Sequence, residues 1–315
     1  MPLTNGSLAE LKLGHRMRGQ MIPAICTEDD RSMTDVTQIL DEIKVLRPVP
    51  PVAAQILELA ESPESSIAEI ADLILHDPAV TANLLRICNS AYFGLSQKVE
   101  SVKQAIALLG LDQLVEVVVL STLSTQLINK KEVYGLQEGD LWRHAAVSAH
   151  VAKILAKKNG NVQNTARVFT GALLKDIGKL ILGRFVAASL EKISILVMLK
   201  RYSFNDAEKE VIGMSHAELG AMLAEHWQFS ERLIYIIRNH HLSDESARDD
   251  LETALIYLAD SICMMMRIGA GVDALAYKFH SDVLTRTNLT ADDLQAVMVN
   301  IRENRSRIEK VLNII

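Results

Sequence analysis

The stretch Leu173-Leu174-Lys175-Asp176-Ile177-Gly178-Lys179-Leu180-Ile181-Leu182 places three ionisable side chains inside an otherwise apolar run. Read at the helical period, Asp176 shares a stripe with Phe169, Leu173 and Leu180. Burying an unpaired charge costs several kcal/mol, so such a residue needs partners from other parts of the chain. The stretch therefore predicts a core helical segment that carries part of a buried polar site.

Other apolar helical faces carry residues of the same chemical kind. Singly, each is more often a hydrogen-bonded structural residue than a metal ligand. Together they favour a shared site, because imidazole and carboxylate groups are the usual ligands of Zn, Fe, Mn or Ni. The alternative is a buried polar network held by hydrogen bonds alone. The six candidate residues are His144, Asp176, His216, His240, His241 and Asp260.

The rest of the chain indicates an all-α fold. Hydrophobic residues make up 49% of the 315 residues and aromatic residues only 4%, and the apolar positions recur at helical spacing. A capping box at Ser66 and an Asp77-Pro78 helix start mark helix boundaries. The pattern predicts a leader at 1–34, an N-terminal helical subdomain at 35–128, a second helical subdomain at 129–268 and a C-terminal helical tail at 269–315. The tail helix is predicted from Thr290 to Ile314. Two roles are open for it, dimerisation or packing on the core, and packing is expected.

Charge and composition exclude several classes of protein. The net charge is −6 without a dense Lys/Arg run, which argues against a dedicated nucleic-acid binder. The longest apolar runs, such as Ile195 to Leu199, are too short to span a bilayer. Cys26, Cys88 and Cys263 show no framework spacing, so we expect a reducing cytoplasm.

The N-terminal half carries three further motifs: Leu46-Arg47-Pro48-Val49-Pro50, His76-Asp77-Pro78-Ala79-Val80 and Asn89-Ser90-Ala91-Tyr92-Phe93-Gly94. Together with residues 174–179, these motifs resemble those of the HDOD family, a bacterial signalling relative of the HD phosphohydrolases. Residues 174–179 resemble the HD motif, with Lys175 in place of its histidine. The resemblance covers roughly residues 35–265. It implies a multi-helix HD-like bundle with an N-terminal helical subdomain, residues 129–268 being the degenerate HD-like part.

The resemblance also implies a site divided between two metals, as in HD-GYP phosphodiesterases. The first metal set matches His144, Lys175, Asp176 and Asp260, and it is broken at Lys175, whose ammonium would place positive charge near the vacant position. The second set matches Asp176, His216, His240 and His241, and it is complete. Two alternatives follow: one divalent Fe, Zn, Mn or Ni ion in the second set, or no metal at all. Lys175 and Lys179 are candidate phosphate contacts.

The expected function is a non-catalytic regulatory module that binds a protein partner in trans or a small ligand. Loss of one ligand to a cation would raise the barrier to hydrolysis, and residues 242–245 read Leu-Ser-Asp-Glu where HD-GYP enzymes carry Gly-Tyr-Pro. We therefore expect no cyclic-di-GMP hydrolysis. The alternative is a single-metal phosphohydrolase acting on a phosphodiester or nucleotide. A nucleic-acid regulator is disfavoured by the acidic balance, and the sequence leaves the oligomeric state open.

Overall fold

The computed structural model describes residues 36–45, 50–62, 66–90, 97–127, 134–276 and 279–304. Within these ranges the chain is helical and contains no β-strand, so the prediction of an all-α fold is confirmed. The predicted leader at 1–34 lies outside the described residues. The helices are α1 (Val36–Val45), α2 (Pro51–Glu61), α3 (Ile67–His76), α4 (Pro78–Cys88), α5 (Val102–Leu127), α6 (Asp140–Asn159), α7 (Thr165–Leu174), α8 (Lys179–Lys200), α9 (Phe204–Ile212), α10 (His216–His226), α11 (Glu231–Asn239), α12 (Leu251–Met265), α13 (Asp282–Arg286) and α14 (Ala291–Glu303).

Side-chain caps start the helices where the sequence predicts them. The Ser66 hydroxyl accepts a hydrogen bond from the Glu69 amide at 3.2 Å, and the Glu69 carboxylate accepts one from the Ser66 amide at 2.7 Å. Asp77 Oδ1 accepts from the amides of the second and third residues of α4, at 2.9 and 3.0 Å. Each cap satisfies amide groups that have no partner inside the helix, so both predicted helix starts are confirmed.

Helix α5 is divided at Gly110, whose φ of 76° and ψ of 172° are not helical. Its segment Val102–Ser124 is long and apolar enough to cross a membrane by length and composition. Polar residues interrupt the segment, so it does not appear in the sequence as one long apolar run. Half of the apolar window is buried inside the protein, and Leu114, Val118 and Leu123 lie in the core. The composition of α5 is therefore that of a central core helix, which packs on α2, α4 and α7.

Helix α6 packs extensively against α7 and α12. Helix α10 packs against α11, and α8 against α9. Buried apolar side chains from Ile39 in α1 to Ile301 in α14 belong to one connected core. The described residues belong to one compact unit, and the subdomain boundaries at 128 and 268 stay predictions.

The C-terminal tail adds to this core. Val272–Ala276 is a short 3-10 helix that contacts α8 and α9, and α14 begins at the predicted Thr290 cap. Leu294, Val297 and Ile301 of α14 are buried, and the helix contacts α6. The predicted end of this helix at Ile314 lies outside the described residues.

Candidate metal centre

The six residues predicted from apolar helical faces come together around Asp176. The prediction of a continuous helical segment at Asp176 is wrong, because residues 175–178 form a turn between α7 and α8. From Asp176, Oδ2 lies 3.6 Å from His144 Nε2, and Oδ1 lies 3.5 Å from His216 Nε2 and 3.9 Å from His240 Nε2. Asp260 Oδ1 of α12 lies 2.8 Å from the same His144 nitrogen. The donor atoms form two groups: His144, Asp176 and Asp260, and His216, His240 and His241.

Close backbone packing makes this convergence possible. Gly178 follows Asp176 by two residues, and a Cβ at this position would lie 2.0 Å from the His216 carbonyl oxygen and 2.7 Å from the Gly220 amide. Only glycine allows the turn to approach the start of α10 so closely, because any side chain would collide with backbone. The glycine of the HD-like motif therefore determines how near His216 comes to Asp176.

Lys175 fills the centre of the first donor group. Its Nζ forms an ion pair with Asp176 Oδ2, lies 2.7 Å from Asp260 Oδ1 and lies 3.0 Å from His144 Nε2. The side chain is fully buried. The ammonium group thus contacts one donor atom from each of the three residues that form this group. This placement puts a buried positive charge among the donor atoms of the first group.

The protonation states reinforce this arrangement. Burial lowers the pKa of Lys175, but the adjacent Asp176 and Asp260 carboxylates outweigh that effect, and the net pKa is raised. Burial raises the pKa of both carboxyl groups, and Lys175 reverses this effect, so each pKa lies well below its ordinary value. The two carboxylates and the ammonium are therefore all charged near neutral pH.

Lys179 forms a second buried ion pair on the other side of Asp176. Its Nζ lies 2.9 Å from Asp176 Oδ1 and 2.7 Å from Asp273 Oδ2. Despite burial, these two carboxylates raise the pKa of Lys179. Asp273 belongs to the 3-10 helix of the tail, so the tail contributes a charge to the centre. Both lysines are engaged by carboxylates within the protein, which leaves their proposed role in phosphate contact without support from the contacts of this structure.

The second donor group consists of histidine nitrogens. His241 Nε2 lies 2.9 Å from His216 Nε2, and His240 Nε2 is buried without a hydrogen-bond partner. His240 Nδ1 donates to the Ile237 carbonyl at 2.8 Å, which leaves Nε2 as a free lone pair. Burial lowers the pKa of His240 to about 3 and that of His241 well below its ordinary value. Both rings are therefore neutral at physiological pH, the state that binds metal.

The residues of this group fit a divalent metal. The three ligand atoms lie within 4.8 Å of one another, and Asp176 Oδ1 lies nearby. A metal about 2.0–2.1 Å from each imidazole nitrogen requires only small adjustments from these separations. A buried imidazole nitrogen without a partner, as in His240, is costly unless a cation or donor meets it. The set is therefore suited to one ion bound by three histidines and one carboxylate.

A cleft of about 200 Å³ opens beside this second group. His216 and His241 form one wall, and Arg248, Asp273 and His280 contribute polar groups to the lining. Apolar and aromatic contacts come from Phe204 and Tyr257, among others. The residues of the first group do not line it. A ligand in the cleft therefore meets the histidines and not Lys175.

Sequence reasoning missed three buried residues of the centre. Glu208 lies on the apolar face of α9 with Phe204 and Ile212, each four residues away, which is the same signal that identified Asp176. Tyr134 and Asp273 lie in segments without helical periodicity, so no pattern in the sequence marks them. All three are nine-tenths or more buried.

Residues 46–243 of the chain match the HDOD domain. The chain belongs to the HDOD domain family. This HDOD chain has the fold of an HDOD domain protein of unknown function from Geobacter sulfurreducens, with a TM-score of 0.67 and 24% identity over 89% of this chain and 98% of that chain. A signal transduction protein candidate from Marinobacter aquaeolei VT8 gives a TM-score of 0.70 at 18% identity, over 87% and 60% of the two chains.

A candidate phosphohydrolase from Shewanella amazonensis SB2B also shares the fold, with a TM-score of 0.63 and 23% identity over 88% of this chain and 97% of that chain. An uncharacterized protein of Treponema pallidum (strain Nichols) is 26% identical over 203 residues, which are 64% of this chain. The match covers 39% of that curated relative's length. The HDOD fold is thus shared by proteins named for signalling and for phosphohydrolysis.

Proposed function

We propose that this HDOD chain is a non-catalytic regulatory module of signal transduction, which binds a ligand or partner through an HD-type centre that no longer hydrolyses phosphodiesters. The observation that carries the proposal is the Lys175 ammonium in the middle of the first donor group, paired with Asp176 and Asp260. Two-metal hydrolysis needs a metal where this ammonium lies. Entry of a metal would require expulsion of a buried cation and the loss of both ion pairs.

We further propose that the second donor group holds one divalent ion, Fe, Zn, Mn or Ni, through Asp176, His216, His240 and His241. Formal charge supports this. Four buried carboxylates (Asp176, Glu208, Asp260 and Asp273) surround the centre with two ammonium groups (Lys175 and Lys179). With neutral histidines the centre carries a formal charge of −2, which one divalent ion would balance. An uncompensated buried charge is costly, so a bound cation stabilises the fold.

The second candidate function is a single-metal phosphohydrolase. The observation that favours it is the cleft, which brings a ligand against His216 and His241 beside the proposed metal ligands. A metal there would act as a Lewis acid and lower the pKa of a bound water. In this chain Lys175 and Lys179 are both held by carboxylates, so they are not free to bind a transferring phosphoryl group. This is why we favour the regulatory module.

Partners and location follow from the same features. The net charge of −6 disfavours nucleic acid, so the proposed partner is a protein acting in trans or a small ligand of the cleft. The solved relative named for signal transduction supports a signalling role. Cys88 and Cys263 are free and buried, which agrees with the proposed reducing cytoplasm.

Elemental analysis and hydrolysis assays test the proposal together. Protein purified without a metal-affinity tag should contain about one divalent metal per chain, and Asp176→Ala and His240→Ala should lose it. Cyclic dinucleotides and a chromogenic phosphodiester should not turn over with any of the four metals supplied. Turnover by wild-type protein that Asp176→Ala abolishes would overturn the regulatory proposal in favour of the enzyme. Absence of metal after incubation with each ion would overturn the one-metal proposal.

A further inference from the structure

We infer that Glu208 and Tyr134 are positioning residues, which hold the His216 ring as its Nδ1–H tautomer and direct its Nε2 lone pair into the three-histidine group. The effect on metal binding rests on the proposed metal site, whereas the hydrogen bonds among Tyr134, Glu208 and His216 do not depend on it. Glu208 is fully buried on α9, and its carboxylate accepts hydrogen bonds at both oxygens. Neither residue belongs to either donor group.

The Glu208 carboxylate binds both the ring and the backbone of His216. Oε2 lies 2.7 Å from His216 Nδ1 and 2.9 Å from the His216 amide nitrogen. An ionised carboxylate can only accept hydrogen bonds, so Nδ1 must carry a proton. In a neutral ring Nε2 is then unprotonated and presents its lone pair. That lone pair lies 3.5 Å from Asp176 Oδ1 and 2.9 Å from His241 Nε2.

Tyr134 fixes the carboxylate from the opposite side. Its hydroxyl donates to Glu208 Oε1 at 2.5 Å, and its ring is 2% exposed. The backbone of Tyr134 has φ of 57°, a left-handed conformation that is unusual for a residue other than glycine. The Val272 amide donates to its carbonyl at 2.9 Å, which ties this conformation to the tail segment. The phenol therefore reaches Glu208 from a backbone that is held in place.

The chain Tyr134–Glu208–His216 has the form of an outer hydrogen-bond chain to a metal ligand. A carboxylate that accepts from the remote nitrogen of a ligating histidine fixes the tautomer and raises the basicity of the ligating nitrogen. Among the described residues, no lysine or arginine pairs with Glu208, and its carboxylate is hydrogen-bonded by Tyr134 and His216. The position of its charge is thus set by the histidine and the phenol alone.

The competing explanation is that Glu208 merely caps α10, because it also accepts from the first amide of that helix. The chain offers a matched control for this explanation. Glu218 completes the capping box at the same helix end through the Ser215 amide at 3.0 Å, but it makes no recorded contact with the His216 ring. Glu208→Gln and Glu218→Gln therefore remove a carboxylate from the same helix terminus, and only the first alters the ring's partner.

The first measurement is nitrogen-15 NMR of the histidine tautomers in metal-free protein. Wild type and Glu218→Gln should show His216 as Nδ1–H, and Glu208→Gln should shift it toward Nε2–H, because an amide can also donate to Nδ1. A wild-type His216 protonated at Nε2 would overturn the inference. This readout needs no metal, so failure of the metal proposal and failure of this inference give different results.

The second measurement is a zinc and cobalt titration against a competing chelator. We expect Glu208→Gln to lower metal affinity by about 10- to 100-fold and Glu208→Asp to recover part of the loss. Glu218→Gln should retain wild-type affinity even if its melting temperature falls. Equal affinity of wild type and Glu208→Gln, with both proteins folded by circular dichroism, would overturn the positioning role.

Discussion

Nζ of Lys175 lies 2.7 Å from Oδ1 of Asp260, although the two residues are 85 positions apart in the chain. Both side chains are buried, and the same ammonium also pairs with Asp176. An ion pair of this kind joins α12 to the turn after α7 within the first donor group.

Lys175→Met should destabilise the protein by about 3–5 kcal/mol, because it leaves two buried carboxylates without their shared cation. Urea unfolding with added chelator measures the change. The matched control is Lys44→Met, which removes a lysine from an exposed ion pair with Asp41 and should cost less than about 1 kcal/mol. A loss below about 1 kcal/mol for Lys175→Met would show that the ion pairs contribute little. In the double variant Lys175→Met/Asp260→Asn, the loss should be smaller than the sum of the two single losses.

Lys175→His should add a second metal to the protein. The substitution restores a histidine beside Asp176 in the HD-like motif and removes the ammonium from the first donor group. His144 and Asp260 then regain a vacant position between them. The metal content measured by elemental analysis should rise from about one to about two ions per chain. Lys175→Met is the control, because it removes the ammonium without supplying a ligand. An unchanged metal content in Lys175→His would contradict the view that the lysine alone blocks the first position.

Gly178→Ala should both destabilise the fold and weaken metal binding. The added Cβ meets the His216 carbonyl and the Gly220 amide, which are backbone atoms and cannot rotate away. A forced shift of α10 typically costs about 1–3 kcal/mol and would move His216 from Asp176. Gly220→Ala is the comparison, since its closest neighbour is an Ile237 methyl at 3.1 Å. In thermal unfolding, Gly178→Ala should have a lower melting temperature than Gly220→Ala. Equal melting temperatures would contradict the packing described.

Metal-free protein should lose stability as the pH falls from about 6.5 toward 4.5. In the unfolded chain histidine binds a proton near pH 6.5, whereas burial lowers the pKa of His240 to about 3 in the folded protein. The unfolded state then binds more protons, so the free energy of unfolding falls by about 1.4 kcal/mol per pH unit for each such histidine. His241, whose pKa is also lowered by burial, adds to the slope.

Urea unfolding in chelator from pH 4.5 to 7 measures this slope. His240→Asn should reduce the slope, because it removes one of the two contributing rings. The exposed His226 serves as the control, and His226→Asn should leave the slope as in wild type. A flat profile in the wild-type protein would show that the buried rings become protonated in the folded state.

Tyr134→Phe should weaken metal binding less than Glu208→Gln does. The substitution removes only the hydroxyl that donates to Glu208, and the two hydrogen bonds from His216 to the carboxylate remain. We expect Tyr134→Phe to lower metal affinity by less than about tenfold, and to shift the His216 tautomer less than Glu208→Gln does. The same chelator competition measures the metal affinity of both variants. A larger effect for Tyr134→Phe than for Glu208→Gln would contradict this order, because the substitution keeps the ring beneath Lys179 and removes only the hydroxyl.

Much of the fold was predictable from local signals. Apolar residues at helical spacing, together with caps at Ser66 and Asp77, predicted an all-α chain, and these features depend only on neighbours in sequence. Asp176 and His216 were marked because a polar group in an apolar stripe needs a partner. Helical periodicity predicts which face of a helix is buried, but it does not predict which helices pack against each other. The convergence of these residues is therefore known only from the structure.

The remaining residues of the centre were hidden for physical reasons. Asp273 lies in a five-residue 3-10 segment, and Tyr134 precedes α6 in a non-helical stretch, so neither has a period to read. Glu208 shares an apolar face with Phe204 and Ile212, but a single acidic residue on a helix is usually solvated, so this signal alone does not predict its burial. For Lys175 the sequence predicted a cation near the first position, but the ring of contacts around its ammonium depends on long-range packing.

A cation that is part of the polypeptide is present in every molecule from the moment of synthesis. It cannot be chelated, exchanged for a competing ion or depleted when the supply of trace elements falls. With Lys175 seated between α12 and the α7–α8 turn, half of this centre is assembled independently of the ions available in the surroundings. Any dependence on those ions falls on the histidine side alone, so a cell short of metal would hold protein with an intact scaffold and an altered cleft.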